Sequence, residues 1–255
     1  MPDLQPTPEE GPDPWERWGQ PAALALAALA SLVGPLRFLL EASVGMELHE
    51  VGHALVAWLG GQLAIPLPMV TLTFSEERSF LVFAAVFALL AWLRWVLLRE
   101  ECLGLARVLL VLFLAQGLLS LVVGAPLLRG LVVAGGQAGE LVLGALLVAL
   151  FSLRFPAAVR WHAARWFFLA CGAAAYVLAM RKWWRARTDP DAIPWGSFFG
   201  GDGDLEHLQE AFGWSAGTII SLYLSLGIAC GAALVCLWIL QDSRRTRPAG
   251  RRGTA

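Results

Sequence analysis

The stretch Leu103–Val123, LGLARVLLVLFLAQGLLSLVV, decides the fold class of this chain. It carries a single charged residue, Arg107, close to its beginning. An α-helix needs about 20 apolar residues to cross a hydrocarbon core of roughly 30 Å. The stretch is therefore predicted to be a membrane-spanning helix, and the rest of the chain is interpreted with lipid as its solvent.

The composition of the whole chain agrees with this interpretation. Of its 255 residues, 58% are hydrophobic and 15% are charged, whereas soluble globular chains carry roughly 45–50% apolar and about 25% charged residues. The net charge of -1 gives no basic surface of the kind that nucleic acid requires. Membrane lipid is therefore an expected partner, and nucleic acid is not.

Further apolar segments extend the prediction to six or seven spans, which makes the chain an all-α, polytopic transmembrane helix bundle. Tryptophans cluster near the ends of these segments, where a ring with an N–H favours the lipid headgroup region. The predicted spans are Pro21–Leu40, Ala42–Gly60, Phe80–Leu98, Leu103–Val123, Glu140–Phe155, His162–Met180 and Trp214–Leu240.

The chain divides into three expected regions. Residues 1–18 are acidic and proline-rich and lack the basic start of a signal peptide, so we expect a disordered tail. Residues 19–240 are expected to form the membrane-embedded domain. Residues 241–255 form a basic tail, which favours a cytoplasmic C-terminus by the positive-inside rule, whereas the basic run Arg181–Arg187, one span earlier, favours the opposite orientation.

The segment Gln62–Phe74, QLAIPLPMVTLTF, does not resemble a span. It holds two prolines, followed by β-branched residues in alternation. This pattern predicts a short β-hairpin, which we expect to lie near the active site.

The sharpest chemical feature is the H-E-x-x-H motif at His49-Glu50-Val51-Gly52-His53. Residues four apart lie on one face of a helix, so His49 and His53 can offer their imidazoles to one zinc ion. Glu50 is then placed to take a proton from a water molecule that the zinc holds. Ionisable residues inside an apolar segment are costly and usually functional, which favours a catalytic metal site over a structural cluster.

A catalytic zinc site usually has three protein ligands and keeps its fourth position for water. The sequence leaves the third ligand open among three sources. One is the acidic cluster Asp202, Asp204, Glu206 and His207, a second is Glu140, and a third is His162.

The stretch Met46–Gly61, MELHEVGHALVAWLGG, resembles the signature H-E-x-G-H-A of site-2-protease-like intramembrane zinc metallopeptidases. Gly52 and Ala54 carry the match beyond the bare zinc motif. The small bacterial branch, called peptidase M-fifty-B-like, also has a glycine-rich segment that opens a later helix, and Ala134–Gly139 is similar to it. Asp204-Leu205-Glu206-His207-Leu208 resembles its D-x-x-x-L stretch.

This resemblance implies an intramembrane zinc endopeptidase of the bacterial cytoplasmic membrane. Its metal ligands would be His49, His53 and Asp204, with Asp202 as the reserve, and its catalytic base would be Glu50. The substrates would be transmembrane or membrane-associated peptides, held as a strand against Gln62–Phe74.

Three alternatives remain beside this prediction. A different membrane zincin would use Glu140 as the third ligand. A protein that has kept a peptidase scaffold would bind zinc or partners without catalysis, although such a protein has no need of Glu50 as a base. A transporter or structural bundle would carry the motif by chance and would hold no metal tightly.

Overall fold

The computed structural model describes residues 14–74, 77–153, 155–156, 159, 161–195 and 203–245. Within them the chain is mostly helical and contains a small antiparallel sheet, so the predicted helical class and the hairpin are confirmed. The helices are α1 (Pro14–Ala30), α2 (Gly34–Leu40), α3 (Met46–Leu59), α4 (Phe80–Arg99), α5 (Leu103–Gly117), α6 (Ala125–Leu150), α7 (Trp161–Thr188), α8 (Asp204–Phe212) and α9 (Ala216–Arg245). The strands are β1 (Ala64–Leu67) and β2 (Val70–Thr73).

The described helices include four that are long and apolar enough to cross a membrane, and five if one bent pair counts as a single span. The predicted number of six or seven is not confirmed. Helix α7, which contains the predicted span His162–Met180, is not among the four. The four candidates are Phe80–Arg99, Leu103–Val122, Ala125–Leu150 and Ala216–Ser243. Exposed apolar surface is clear on α4, where Phe80 and Leu81 are 78% and 79% exposed.

The first two predicted spans are joined differently from the prediction. The bent pair consists of Glu16–Ala30 and Gly34–Leu59, which meet at an angle of 119°. The second half runs through α2, a π-helical turn (Glu41–Gly45) and α3 without interruption. Pro35 accounts for the position of the break, because proline has no N–H to donate and is tolerated in the first turn of a helix. Glu41, where the prediction placed the boundary, lies inside the continuous helix.

Helix α6 also differs from its prediction. It begins at Ala125, well before the predicted start at Glu140, so the glycine-rich stretch Ala134–Gly139 lies in its middle and does not open it. Pro126, in the first turn, marks the true start. The glycines and Gln137 dilute the apolar character of this stretch, which is why the sequence did not reveal the full length of the helix.

Helices α3 and α6 touch through glycine. A Cβ atom added to Gly139 would lie 2.5 Å from the main-chain oxygen of Leu48 and 2.7 Å from Cα of Gly52. One added to Gly135 would lie 3.0 Å from the main-chain oxygen of Gly52. Small residues four apart allow helices in a membrane to approach backbone to backbone. The helix that carries the H-E-x-x-H motif is thereby held against the middle of α6.

A second packed region holds α8 in place. Trp183 of α7 stacks on Tyr223 of α9, with ring centroids 4.5 Å apart and planes inclined by 26°. Leu205 and Leu208 of α8 belong to the same buried cluster and are 1% and 0% exposed. Burial of these side chains fixes the first turn of α8 against α6, α7 and α9.

The hairpin is attached to the end of α3. Strand β1 pairs with β2 in a register that sets Ala64 opposite Thr73 and Leu67 opposite Val70. The indole nitrogen of Trp58 donates a hydrogen bond to the main-chain oxygen of Ala64, at 2.8 Å. The hairpin therefore leaves α3 in a fixed direction and returns beside the motif.

The ends of the chain are described in part. Residues 1–13 and 246–255 lie outside the described residues. Helix α1 begins at Pro14, inside the stretch assigned to the tail. Arg17 pairs with Asp242 of α9 at 2.7 Å, so the start of α1 is tied to the end of α9.

Candidate metal centre

Two imidazoles of α3 face the same point. His49 and His53 lie one helical turn apart, and their Nε2 atoms are 3.1 Å apart. Both residues are buried, with 9% and 8% of their surface exposed. The spacing of the motif on a helix produces this arrangement directly.

Asp204 completes the group from a distant part of the chain. It is the first residue of α8. Its Oδ2 lies 2.8 Å from Nε2 of His49 and 2.9 Å from Nε2 of His53. His49, His53 and Asp204 form a group that could hold a metal ion. Ligands about 2.0–2.1 Å from a tetrahedral zinc lie roughly 3.3 Å from one another, so shifts of a few tenths of an ångström would accommodate the ion.

The hydrogen bonds behind the imidazoles support a cation at this point. The main-chain oxygen of Val132 can only accept, so Nδ1 of His53, 2.7 Å away, must carry a proton. Nδ1 of His49 lies 3.2 Å from a carboxylate oxygen of Glu140, which is also an acceptor. In the neutral form, which is the form that binds a metal, each imidazole has one N–H, so Nε2 of both rings would then present its lone pair towards Asp204. Three electron-rich atoms in contact fit a positive ion between them.

The Asp204 carboxyl lies outside the candidate spans, and its titration reflects the histidines. Burial alone would raise its pKa, but hydrogen bonds that His49 and His53 donate when they are protonated at Nε2 outweigh burial and hold the pKa well below its ordinary range. The carboxylate form, which a metal requires, is thus the favoured form.

Glu140, the alternative third ligand, occupies a different position. Its carboxylate contacts Nδ1 of His49, on the side of the ring away from Asp204. Nζ of Lys182 lies 2.9 Å from each of its two oxygens. A carboxylate on the second nitrogen of a ligating histidine fixes the tautomer and orientation of the ring. In this structure Glu140 therefore orients the ring of His49 and does not join the group.

Glu50 lies on the same helix and is 6% exposed. The hydroxyl oxygen of Thr71, in β2, lies 2.7 Å from its Oε2 and 2.9 Å from its main-chain oxygen. The hairpin thus contacts the predicted base itself. Glu50, His49, His53 and Asp204 line one cavity of about 920 Å³.

Gly136 of α6 contacts the two histidines, which the sequence did not predict. A Cβ atom at this position would overlap Nε2 of His53 and Nε2 of His49. The backbone of α6 therefore closes one side of the imidazole pair. The resemblance marked the glycine-rich stretch, but only the packing shows which glycine faces the histidines.

Of the other predicted candidates, two have side chains outside the described part of the chain, and two lie in α8 without joining the group. Asp202 lies outside the described residues. His162 lies in the first turn of α7, and its side chain is outside the described part of the chain. Glu206 and His207 lie in α8, where the ring of His207 packs edge-on against Phe212, with centroids 5.8 Å apart.

Lys182 and Thr71 were missed by the sequence prediction. Lys182 lies in the basic run after a predicted span, where a charge needs no special explanation. Thr71 belongs to a hairpin whose contact with α3 depends on tertiary packing. The only available signal was the expected nearness of the hairpin to the active site.

Comparison with known proteins adds no relative. A scan against protein-family models gives no match, and searches of curated proteins and of solved structures give no significant match.

Proposed function

We propose that this chain is an intramembrane zinc-dependent endopeptidase that hydrolyses peptide bonds of transmembrane or membrane-associated substrates. One observation carries the proposal. Nε2 of His49, Nε2 of His53 and Oδ2 of Asp204 converge within 3.1 Å of one another, in a cavity that Glu50 also lines. The extended match H-E-x-G-H-A supports the site-2-protease-like family and, with it, the bacterial cytoplasmic membrane as the location.

Zinc is the metal that this ligand set fits best. Two imidazole nitrogens and one carboxylate oxygen are a common set for a catalytic zinc, with the fourth position open. Bound there, zinc would lower the pKa of a water molecule to about 7 and polarise a substrate carbonyl.

Glu50 is the residue proposed to move protons. Its buried carboxylate, held by the Thr71 hydroxyl, would take a proton from the attacking water and later give it to the leaving amine nitrogen. The oxygen of the water forms a bond to the carbonyl carbon, and the carbon–nitrogen bond breaks. The products are a carboxylate and an amine.

The hairpin supports an extended peptide as the substrate. Among the described residues, β1 and β2 pair only with each other, so each strand has one unpaired edge. An extended peptide can add to such an edge through main-chain hydrogen bonds without a fixed sequence. Met69, Val70 and Thr71 also line the cavity, which brings an added strand close to Glu50.

Zinc stoichiometry of the detergent-purified full chain is the first test. We expect about one zinc per wild-type chain after zinc has been supplied, as for other catalytic sites. His49→Ala and His53→Ala should abolish tight binding, and Asp204→Ala should weaken it. Glu210→Ala, an exposed acidic residue on the same helix as Asp204, serves as the matched control. Correctly folded wild type that binds no zinc would refute the proposal.

Hydrolysis is tested with two probes. These are fluorescently labelled casein and a lysine-flanked Leu–Ala transmembrane peptide with a central Gly-Pro break, and mass spectrometry identifies the products. Glu50→Gln should bind zinc but fail to cleave, whereas Glu47→Gln, exposed on the same helix, should cleave like the wild type. Zinc-loaded wild type that cleaves neither probe would favour a non-catalytic zinc-binding protein.

A further inference from the structure

Gln137 is a buried amide without a hydrogen-bond partner for its oxygen. It lies in α6 and is 7% exposed. Its Oε1 is buried and has no hydrogen-bond partner among the described residues. The side chain lines the same cavity as His49, Glu50 and Asp204.

Buried polar groups nearly always have partners, and among the described side-chain atoms that lack one, only Oε1 of Gln137 belongs to a residue that lines this cavity. The stretch around Gln137 is otherwise apolar, and an apolar side chain would fill the space without the cost of an unsatisfied amide. A Gln amide has both donors and an acceptor, and rotation of its terminal torsion exchanges the two ends. The group is therefore suited to a ligand that enters the cavity and brings a polar partner.

The neighbouring residue relates Gln137 to the reaction centre. Gly136 is the residue whose backbone closes the imidazole pair. Glu140, one turn further along α6, contacts Nδ1 of His49. Gln137 thus belongs to the turn of α6 that borders the metal ligands, whereas Glu50 comes from α3.

We propose that Gln137 is a catalytic residue that donates an amide N–H to the carbonyl oxygen of the peptide bond being cleaved. The inference rests on the proposed peptidase function. As the water oxygen adds to the carbonyl carbon, the electrons of the C=O double bond move onto the carbonyl oxygen. The negative charge on the carbonyl oxygen strengthens its hydrogen bond from the Gln137 amide. A preorganised donor aimed at such a charge accelerates acyl transfer more than it tightens substrate binding.

The test compares binding of an analogue that mimics the charged state formed during hydrolysis with binding of the intact peptide. The probe is a phosphinic analogue of the Leu–Ala peptide, in which a negatively charged phosphinate replaces the peptide bond. Binding is measured on the zinc-loaded full chain in detergent. Gln137→Leu should weaken binding of the analogue and lower kcat by about 10²–10³-fold. Binding of the uncleaved parent peptide to the Glu50→Gln variant should change little when Gln137→Leu is added.

Gln116→Leu is the matched control. Gln116 is fully buried, and its Oε1 also lacks a hydrogen-bond partner among the described residues, but its amide nitrogen donates to the main-chain oxygen of Phe83, at 2.8 Å, between α5 and α4. Gln116 does not line the cavity, so its loss should leave kcat per zinc-loaded molecule unchanged.

Different failures have different meanings. A wild type that binds zinc but neither cleaves the parent peptide nor binds the analogue would overturn the peptidase function and this role together. Wild-type cleavage, with Gln137→Leu retaining its kcat and its affinity for the analogue, would overturn the role of Gln137 alone. Loss of zinc in Gln137→Leu would show that the residue supports the metal site, which also overturns the inference.

Discussion

Glu140 and His49 meet across the contact between α6 and α3, with Oε1 of the carboxylate 3.2 Å from Nδ1 of the ring. Nζ of Lys182, from α7, contacts both oxygens of the same carboxylate. Three helices therefore determine the orientation of one imidazole. Metal-binding histidines commonly have such a carboxylate on their second ring nitrogen. The carboxylate fixes the orientation of the ring and raises its basicity.

Replacement of Glu140 by Gln should weaken zinc binding without abolishing it. The substitution keeps the size of the side chain but removes the charge that orients His49, and loss of such a partner typically costs 10–100-fold in metal affinity. Competition with a chelator of known affinity measures the change. If Glu140 were instead the third ligand, Glu140→Ala would lose zinc entirely and Asp204→Ala would keep it.

A methyl group at Gly136 should disrupt the metal group directly. The added Cβ would overlap both Nε2 atoms, so Gly136→Ala must move α6 or turn the imidazoles. We expect loss of most bound zinc at concentrations that saturate the wild type, measured by elemental analysis. Gly117→Ala, in α5, is the control, because nothing lies within 4 Å of its added Cβ. Full zinc content in Gly136→Ala would contradict the described packing.

The Thr71 hydroxyl should matter for catalysis and not for metal binding. Thr71→Val keeps the shape of the side chain but removes the hydrogen bond to Glu50, so the base loses its fixed position. We expect kcat to fall by at least about tenfold, with unchanged zinc content and partial recovery in Thr71→Ser.

Thr73→Val provides the comparison on the same strand. Thr73 lies two residues away on β2 and lines the same cavity, but its hydroxyl has no hydrogen bond among the described residues. Equal losses in Thr71→Val and Thr73→Val would indicate a general effect of the hairpin and would contradict a specific role for Thr71.

Tyr223 should contribute mainly through packing. Its hydroxyl donates to the main-chain oxygen of Ala134 at 3.0 Å, and its ring stacks on Trp183. Tyr223→Phe should cost about 0.6 kcal/mol, the average for hydrogen bonds between membrane helices. Tyr223→Ala should cost about 3–5 kcal/mol, because it leaves a cavity. The free energy of unfolding of both variants is measured in detergent, with intrinsic fluorescence as the signal. Equal losses in Tyr223→Phe and Tyr223→Ala would contradict a mainly packing role.

The sequence predicted the features that depend on local pattern. The spacing of His49 and His53 is a property of one helix, and the alternation in Gln62–Phe74 is a property of one hairpin. The long apolar runs of α4, α5 and α9 were located within a few residues for the same reason. Asp204 was singled out by family resemblance, and the structure brings it to the two histidines.

The features that the sequence did not predict depend on contacts between distant segments. Glu140 was a possible ligand because its chemistry allows it, and only the position of α6 shows that it contacts the other nitrogen of His49. The break before Pro35 was missed because a single proline can open a helix or interrupt one. The predicted number of six or seven spans is not confirmed, because an apolar segment does not by itself reveal whether it crosses a membrane or bends within the bundle.

The distance along the chain between the metal ligands has a consequence for biosynthesis. Asp204 follows His49 by 155 residues, and chains fold from the N-terminus as they are made. Helix α3 is therefore complete long before the ribosome reaches α8, and the histidine pair has no carboxylate partner from Asp204 during that interval. Under the proposed function, the nascent protein would be incapable of hydrolysis until its synthesis is almost finished, and neighbouring membrane proteins would not be cleaved before that point.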